Sequence, residues 1–298
     1  MNLKPKIEDL LKGIQKNVPL AFHTTFKIGG PAKYFYTAKT KEDLIKAIKV
    51  AKKINLPFFI LGGGSNLLVS DKGFEGVVIK VGSTKYEVKN RQVFSEAGIL
   101  LSDLVRITLE NNLSGLEWAT GIPGTLGGAI RGNAGAFGKS MKDIIKRVEV
   151  FDTRTGKIKI LKNKDCQFDY RESILKKNKN LIILSAKIEL KKGERKKIDN
   201  QIKENLDYRK KTQPLGFLSA GSVFKNPPGH FAGELIEKCG LKGRKIGEAQ
   251  ISKKHANFIL NLGNAKTRDV KKLISLIKER IKEKFGLELE EEIEFLGF

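Results

Sequence analysis

The sequence predicts an α+β protein made of three consecutive units, residues 1–80, 81–213 and 214–298. Three observations predict it. A β-α-β pattern occupies the first unit, and a glycine-rich stretch followed by strand patterns dominates the second. The third closes with a long amphipathic helix and an alternating strand. At 298 residues, 40% of them hydrophobic and seventeen of them Phe, the chain is long enough for two or three filled cores.

The elements follow in order. "TTFKIGGPA", Thr24 to Ala32, places a glycine pair before a strand at Lys33–Tyr36. Thr40 is suited to cap a helix: Glu42 and Asp43 fall in its first turn, and Leu44, Ile45, Ile48 and Ala51 make one apolar face. Pro57 marks its end, and strands follow at Phe58–Leu61 and Val77–Val81. Between these lies Gly62-Gly63-Gly64-Ser65-Asn66, then the apolar run Leu67–Val69. In the second unit, Leu101, Leu104, Val105, Thr108 and Leu109 form a helical stripe. Ser114 to Gly138 then holds eight glycines in twenty-five residues, interleaved with Trp, Ile and Leu, which marks tightly packed backbone rather than a linker. Strands at Val148–Phe151, Lys157–Leu161 and Leu181–Leu190 make this unit mostly β. Lys191 to Lys211 is polar and basic and reads as a connector with helical character at Ile202–Tyr208. From Pro214 the pattern predicts a helix over Ala232–Lys238 with Gly240 at its C′ position. A longer one follows over Thr267–Phe285, with Leu273, Ile274, Ile277, Ile281 and Phe285 on one face. The terminal "LELEEEIEFLGF" alternates as a strand.

Charge and composition bound the function. There are 57 Lys plus Arg against 33 Asp plus Glu, a formal +24. Two readings stand: an anionic partner or substrate, or basic side chains spread over solvated faces. No zinc finger, recognition helix or RNP-type aromatic pattern supports nucleic acid. Cys166 and Cys239 have no CxxC partner, which fits packing residues in a reducing cytoplasm. Three histidines without paired spacing leave no metal site expected. "MNLKPKIEDLLKGIQKN" lacks the apolar stretch of a signal peptide, and no run is long enough for a membrane span.

Several sites could carry chemistry. Gly62–Asn66 after a strand offers backbone N–H groups to an anion, or is a plain tight turn. It lacks both the Rossmann spacing and the Gly-Lys-Ser/Thr of a P-loop. Gly121-Ile122-Pro123-Gly124-Thr125 is a second close-approach segment, and the two together suggest one long ligand of dinucleotide size. Ser222 lies on a glycine turn without GxSxG framing, so proton donation or turn hydrogen bonding suits it better than nucleophilic attack. Arg171 is either a site cation or half of a surface ion pair. Strand alternation puts Glu290 and Glu292 on one face and Glu291 on the other; any of the three could bring a carboxyl group to a site.

Together "TTFKIGGPA", "LGGGSNLL", "GIPGTLGGAIRGNAGAFG", "DYRESI", "AGSVFKNP", "KHANFILN" and "LEEEIEFLG" resemble, in order and over almost the whole chain, the UDP-N-acetylenolpyruvoylglucosamine reductase family, also called UDP-N-acetylmuramate dehydrogenases. The resemblance implies a vanillyl-alcohol-oxidase-type (PCMH-type) FAD-binding module formed by the first two domains, and a third, α+β substrate-binding domain. It implies bound FAD and NADPH as co-substrate. NADPH reduces the flavin, and hydride then passes to the enolpyruvyl double bond of UDP-N-acetylglucosamine enolpyruvate, in peptidoglycan precursor synthesis.

Roles carry over by matching position. Ser222 matches the proton donor, and Arg171 and Glu292 match the pair that polarises the substrate carboxylate. Gly62, Gly63, Gly64, Ser65 and Asn66 match the turn around the FAD pyrophosphate. Gly121, Ile122, Pro123, Gly124, Gly128, Asn133, Gly135 and Ala136 match the segment along the flavin and ribityl chain. Asn226 and His255 match substrate contacts, and Tyr170 and Lys211 are further substrate-binding candidates, with Tyr208 a second candidate beside uridine. Leu190 to Pro214 is too short for the tyrosine-loop insertion of some members, so the chain resembles the shorter subclass. A cytoplasmic monomer without nucleic-acid or membrane partners is expected. The competing readings are another FAD-dependent oxidoreductase of the same superfamily and a basic nucleic-acid-binding protein.

Overall fold

A computed structural model describes residues 6–298, and the chain is shared between two units. The first gathers the N-terminal residues up to Gln15 with Tyr34–Gly63 and Gly76–Tyr208; the second gathers Lys16–Lys33, Gly64–Glu75 and Arg209–Phe298. Most of residues 1–213 thus share one unit, while two segments of the first expected domain join the C-terminal third. The first five residues of the N-terminal stretch read above lie outside the described residues. Among the described residues no helix is long and apolar enough to cross a membrane.

In the first unit, Thr40 caps the helix Lys41–Lys53 by accepting from the Asp43 N–H at 3.1 Å, and Leu44, Ala47, Ile48 and Ala51 are buried. Strand Phe58–Leu61 pairs in parallel with Phe74–Val81, and the chain between them runs through the glycine turn and the short strand Leu67–Val69. A five-stranded antiparallel sheet carries the middle of the chain, in the order Lys157–Lys162, Ile145–Asp152, Leu181–Glu189, Gln92–Glu96, Tyr86–Lys89. One core joins these layers: Ile48, Val77, Leu104, Trp118, Ile130, Val148 and Leu184 all belong to it. The thiol of Cys166 is pushed up to about 11 by burial. A thiol so held stays protonated at neutral pH, which fits packing rather than nucleophilic attack.

In the second unit, the helix Thr267–Phe285 has the predicted bounds, with Leu273, Ile274, Ile277 and Ile281 buried and Phe285 partly buried. Its first turn is fixed by Thr267, whose hydroxyl donates to the Val69 carbonyl at 2.6 Å. A three-stranded sheet of Lys245–Ile246, Ala249–Ile251 and Ile259–Asn261 shares the same core. Strand Leu67–Val69, just after the glycine turn, pairs in parallel with the terminal strand Glu294–Leu296.

Two expectations are corrected. The basic connector contains one helix, Arg195–Thr212. Positions 198, 202, 205 and 209 share a face, and Ile198, Asn205 and Arg209 on it are buried while Ile202 is partly buried. Polar Asn and Arg at core positions erase the apolar stripe. The terminal strand is also shorter than its alternation implies. It begins at Glu294; upstream, Glu291 makes a single bridge to Phe224 and the chain bends at Ile293.

Candidate functional site

The two glycine segments meet inside the first unit. A Cβ built on Gly63 would lie 2.8 Å from the Gly124 Cα, and one on Gly62 would lie 2.6 Å from the Thr125 hydroxyl oxygen. Both are closer than real side chains allow: at Gly63 glycine is required for backbone to touch backbone, and at Gly62 it leaves room for the capping hydroxyl of Thr125. Thr125 caps the short helix Leu126–Arg131 through the Gly128 N–H. Gly121, Ile122 and Pro123 lead into this contact, with the Ile122 N–H donating to Ala119. The next residue of the first turn, Gly64, belongs to the second unit, with φ +63° and its backbone against His23 and Thr24. The sequence reading attributed both glycine runs to a ligand; part of the requirement is their approach to each other. The result is a patch of bare backbone, which is what a dinucleotide pyrophosphate needs for close approach. The residues present therefore fit an FAD.

Downstream, Gly135–Ala136 and Lys139–Ser140 form a two-residue hairpin whose tip, Phe137-Gly138, has positive φ at both residues. Gly135 again has no room for a Cβ, which would sit 2.5 Å from the Lys139 carbonyl oxygen. Asn133 is buried, and its amide is engaged with backbone: Nδ2 donates to the Asp169 carbonyl at 2.8 Å and Oδ1 accepts from the Lys142 N–H at 3.0 Å. Through Asp169 it anchors the tight turn Asp169–Glu172, which exchanges two backbone hydrogen bonds and puts Tyr170 and Arg171 at its tip. Arg171 has φ +55°, and its guanidinium donates to the Gly135 carbonyl at 3.1 Å while lying 5.3 Å from the Tyr170 ring centroid. Arg171 is thus set against the second glycine segment, a placement that its sequence neighbours gave no sign of.

Apart from Tyr208, the remaining candidates lie in the second unit. Ser222, half-buried, forms an antiparallel bridge with Phe258. The loop it begins is clasped by buried Asn257, which accepts from the Phe224 N–H at 3.0 Å and donates to the Phe224 carbonyl at 2.8 Å. Asn257 was missed by sequence reasoning, although it stands inside "KHANFILN", two residues from His255. Thr25 of "TTFKIGGPA" is bound here too, its hydroxyl donating to the Ser219 carbonyl at 2.8 Å.

The three terminal acids separate. Glu290 pairs with Lys225 at 2.6 Å and Glu291 with Lys278 at 3.0 Å. Glu292 donates its N–H to the Val223 carbonyl at 2.7 Å, which places it beside the Ser222 loop. Its own carbonyl accepts from the side-chain amide of Asn66 at 3.0 Å. Asn226 is exposed and accepts from the Ala232 N–H at 3.0 Å, at the start of the helix Ala232–Lys238. Lys211 is exposed on the last turn of the helix Arg195–Thr212, whereas its neighbour Arg209 is buried and donates to Gln213. Tyr208 is exposed and edge-on to Phe137 in the first unit.

His255 packs edge-on against Phe258, and its Nδ1 accepts from the Asn257 N–H at 3.3 Å, which leaves the proton of the neutral ring on Nε2. Burial lowers its pKa from the ordinary 6.5. In the unfolded chain the ring gains a proton below 6.5, and in the folded chain only at lower pH. The stability its neutral form supports is therefore complete above 6.5 and declines as pH falls from there towards the folded value. Urea unfolding at pH 5 and pH 8 is expected to show a larger loss at pH 5 for the native chain than for His255→Gln. Equal losses would contradict the burial of this ring.

Against known proteins, a family model described as "UDP-N-acetylenolpyruvoylglucosamine reductase, C-terminal domain" matches residues 213–296, and one described as "FAD binding domain" matches residues 32–162. The chain is 47% identical, over 99% of its length and 98% of the relative's, to UDP-N-acetylenolpyruvoylglucosamine reductase of Caldanaerobacter subterraneus subsp. tengcongensis. It is 43% identical, over 97% of its length and 98% of the relative's, to the protein of that name from Anoxybacillus flavithermus. Among solved structures, the UDP-N-acetylenolpyruvylglucosamine reductase of Thermus caldophilus superposes with a TM-score of 0.82 at 37% identity, covering 95% of this chain and all of that one.

Proposed function

The chain belongs to the UDP-N-acetylenolpyruvoylglucosamine reductase family, and from that premise we propose that it reduces UDP-N-acetylglucosamine enolpyruvate to UDP-N-acetylmuramate with NADPH. It is an FAD-dependent oxidoreductase of peptidoglycan precursor synthesis. The observation that carries the reading is the meeting of Gly62–Gly63 with Gly124–Thr125, a cofactor cradle of bare backbone in a chain with this family's sequence.

Gly62, Gly63, Gly64, Ser65 and the backbone of Asn66 would hold the pyrophosphate, with Gly121–Gly124, Gly128, Gly135 and Ala136 along the rest of the cofactor. When bound, FAD supplies the two-electron relay from NADPH to the enolpyruvyl double bond. The chain's own residues handle charge and proton. Adding hydride to an enol-ether acid drives negative charge into its carboxylate. A cation such as Arg171 and a hydrogen-bond donor such as Glu292 are therefore worth most in the transition state. For Glu292 to donate, it must carry a proton. Ser222 then donates a proton to the carbon next to the carboxylate, completing addition of one hydride and one proton across the double bond. Tyr170, Lys211, Asn226 and His255 bind the substrate, the last through its Nε2–H, while Asn133 acts by fixing the Arg171 turn. The protein works in the cytoplasm as a monomer, without nucleic-acid or membrane partners. The test is whether NADPH-reduced protein is reoxidised by the enolpyruvyl sugar in the absence of oxygen.

A further inference from the structure

Asn66 follows the glycine turn and stands exposed, yet its polar groups are engaged with the far end of the chain. Its side-chain amide donates to the Glu292 carbonyl at 3.0 Å, and its own carbonyl accepts from the Glu294 N–H at 2.9 Å. The parallel ladder of Leu67–Val69 with Glu294–Leu296 starts one residue later, at the pair Leu67 and Glu294. Upstream of that pair the chain bends at Ile293, and regular pairing stops. The Asn66 amide takes over where the ladder ends and ties down one more carbonyl.

On its other side Glu292 is held by Val223, the residue after Ser222, at 2.7 Å. Val223 donates its own N–H to the Asn257 carbonyl at 2.8 Å, and Ser222 bridges Phe258. A chain of hydrogen bonds therefore runs from Asn66 through Glu292 and Val223 to the Ser222 loop, all within the second unit.

We propose that Asn66 is a positioning residue for Glu292: its amide fixes the backbone of the acid, so the turn assigned to the cofactor also sets the geometry of the proton-handling groups. The inference rests on the role given to Glu292 above. It assigns the Asn66 side chain to Glu292 and leaves to the cofactor only this residue's backbone. Small displacements of catalytic groups cost rate steeply, up to about a hundredfold for roughly 1 Å. An exposed hydrogen bond contributes little to global stability, so variants here are expected to fold.

The experiment compares Asn66→Ala and Asn66→Asp with the native chain loaded with FAD. Asp keeps the shape but turns an oxygen towards the Glu292 carbonyl. Two rates are measured anaerobically: bleaching by NADPH, and reoxidation by the enolpyruvyl UDP-sugar. Both variants are expected to lower the reoxidation rate at least about tenfold more than the bleaching rate. Hydrogen–deuterium exchange is followed in the segment 290–296 of the FAD-free protein, and is expected to quicken in both variants. Equal loss of both rates, or release of FAD, would assign the side chain to the cofactor and overturn the proposal, as would unchanged exchange in 290–296. Glu292→Ala separates the two levels. If it abolishes reoxidation while the Asn66 variants spare it, the positioning role alone falls. If Glu292→Ala itself spares reoxidation, the assignment of Glu292 falls and the positioning role with it.

Discussion

Ser222→Ala is expected to be bleached by NADPH at close to the native rate and to be reoxidised by the enolpyruvyl UDP-sugar about a hundred- to ten-thousandfold more slowly, the range spanned by removal of a positioned proton donor. The substitution removes one oxygen and leaves the backbone bridge to Phe258 in place, so the Asn257 clasp and the fold should survive. Stopped-flow absorbance separates the two half-reactions. Equal slowing of both would mean that Ser222 shapes the loop rather than donating a proton. Deuterium incorporation in D2O at the carbon beside the carboxylate should slow in step with reoxidation.

Gly63→Val is expected to lose bound FAD. Even the Cβ would lie 2.8 Å from the Gly124 Cα, and the obstacle is backbone that cannot rotate away, so the two glycine segments must separate. Overpacking of this kind costs about 1–3 kcal/mol of folding stability, which a chain of this size commonly survives. On the proposed assignment the cofactor rests on both segments at once, so its binding should suffer more than the fold. Equilibrium dialysis with FAD is expected to show at least a hundredfold weaker binding, with circular dichroism near native. A variant that kept FAD at native affinity would show that the contact between the turns is structural alone.

These expectations draw on features that were unequally legible in the sequence. The helices Lys41–Lys53 and Thr267–Phe285 were readable because most of their buried residues are apolar at helical spacing, with Thr40 capping the start of the first and Gly286 in the left-handed conformation ending the second. The helix Arg195–Thr212 was not, because Asn205 and Arg209 occupy buried positions that a pattern reader expects Leu to fill. The glycine runs declared close approach but could not name the partner. Gly63 turns out to meet Gly124, so part of the close approach is between the two runs themselves.

Long-range pairing was the least visible. Nothing local in "NLLVS" announces that Leu67–Val69 pairs with a strand more than two hundred residues away, and that one pairing draws a segment of the N-terminal region into the C-terminal unit. The three consecutive acids were indistinguishable by alternation. Two lysines separate them in space, taking Glu290 and Glu291. Resemblance pointed to Ser222, Arg171 and Glu292 without explaining how each is held. Gly135, the Val223 carbonyl and Asn66 supply that explanation for Arg171 and Glu292.

The most direct test mixes FAD-loaded protein with NADPH under strict anaerobiosis until the flavin absorbance is bleached, removes the nucleotide, and adds UDP-N-acetylglucosamine enolpyruvate. The expected result is return of the oxidised flavin spectrum with one UDP-N-acetylmuramate formed per flavin. A flavin that stays reduced until oxygen enters, with the enolpyruvyl sugar recovered unchanged, would contradict the assigned reaction.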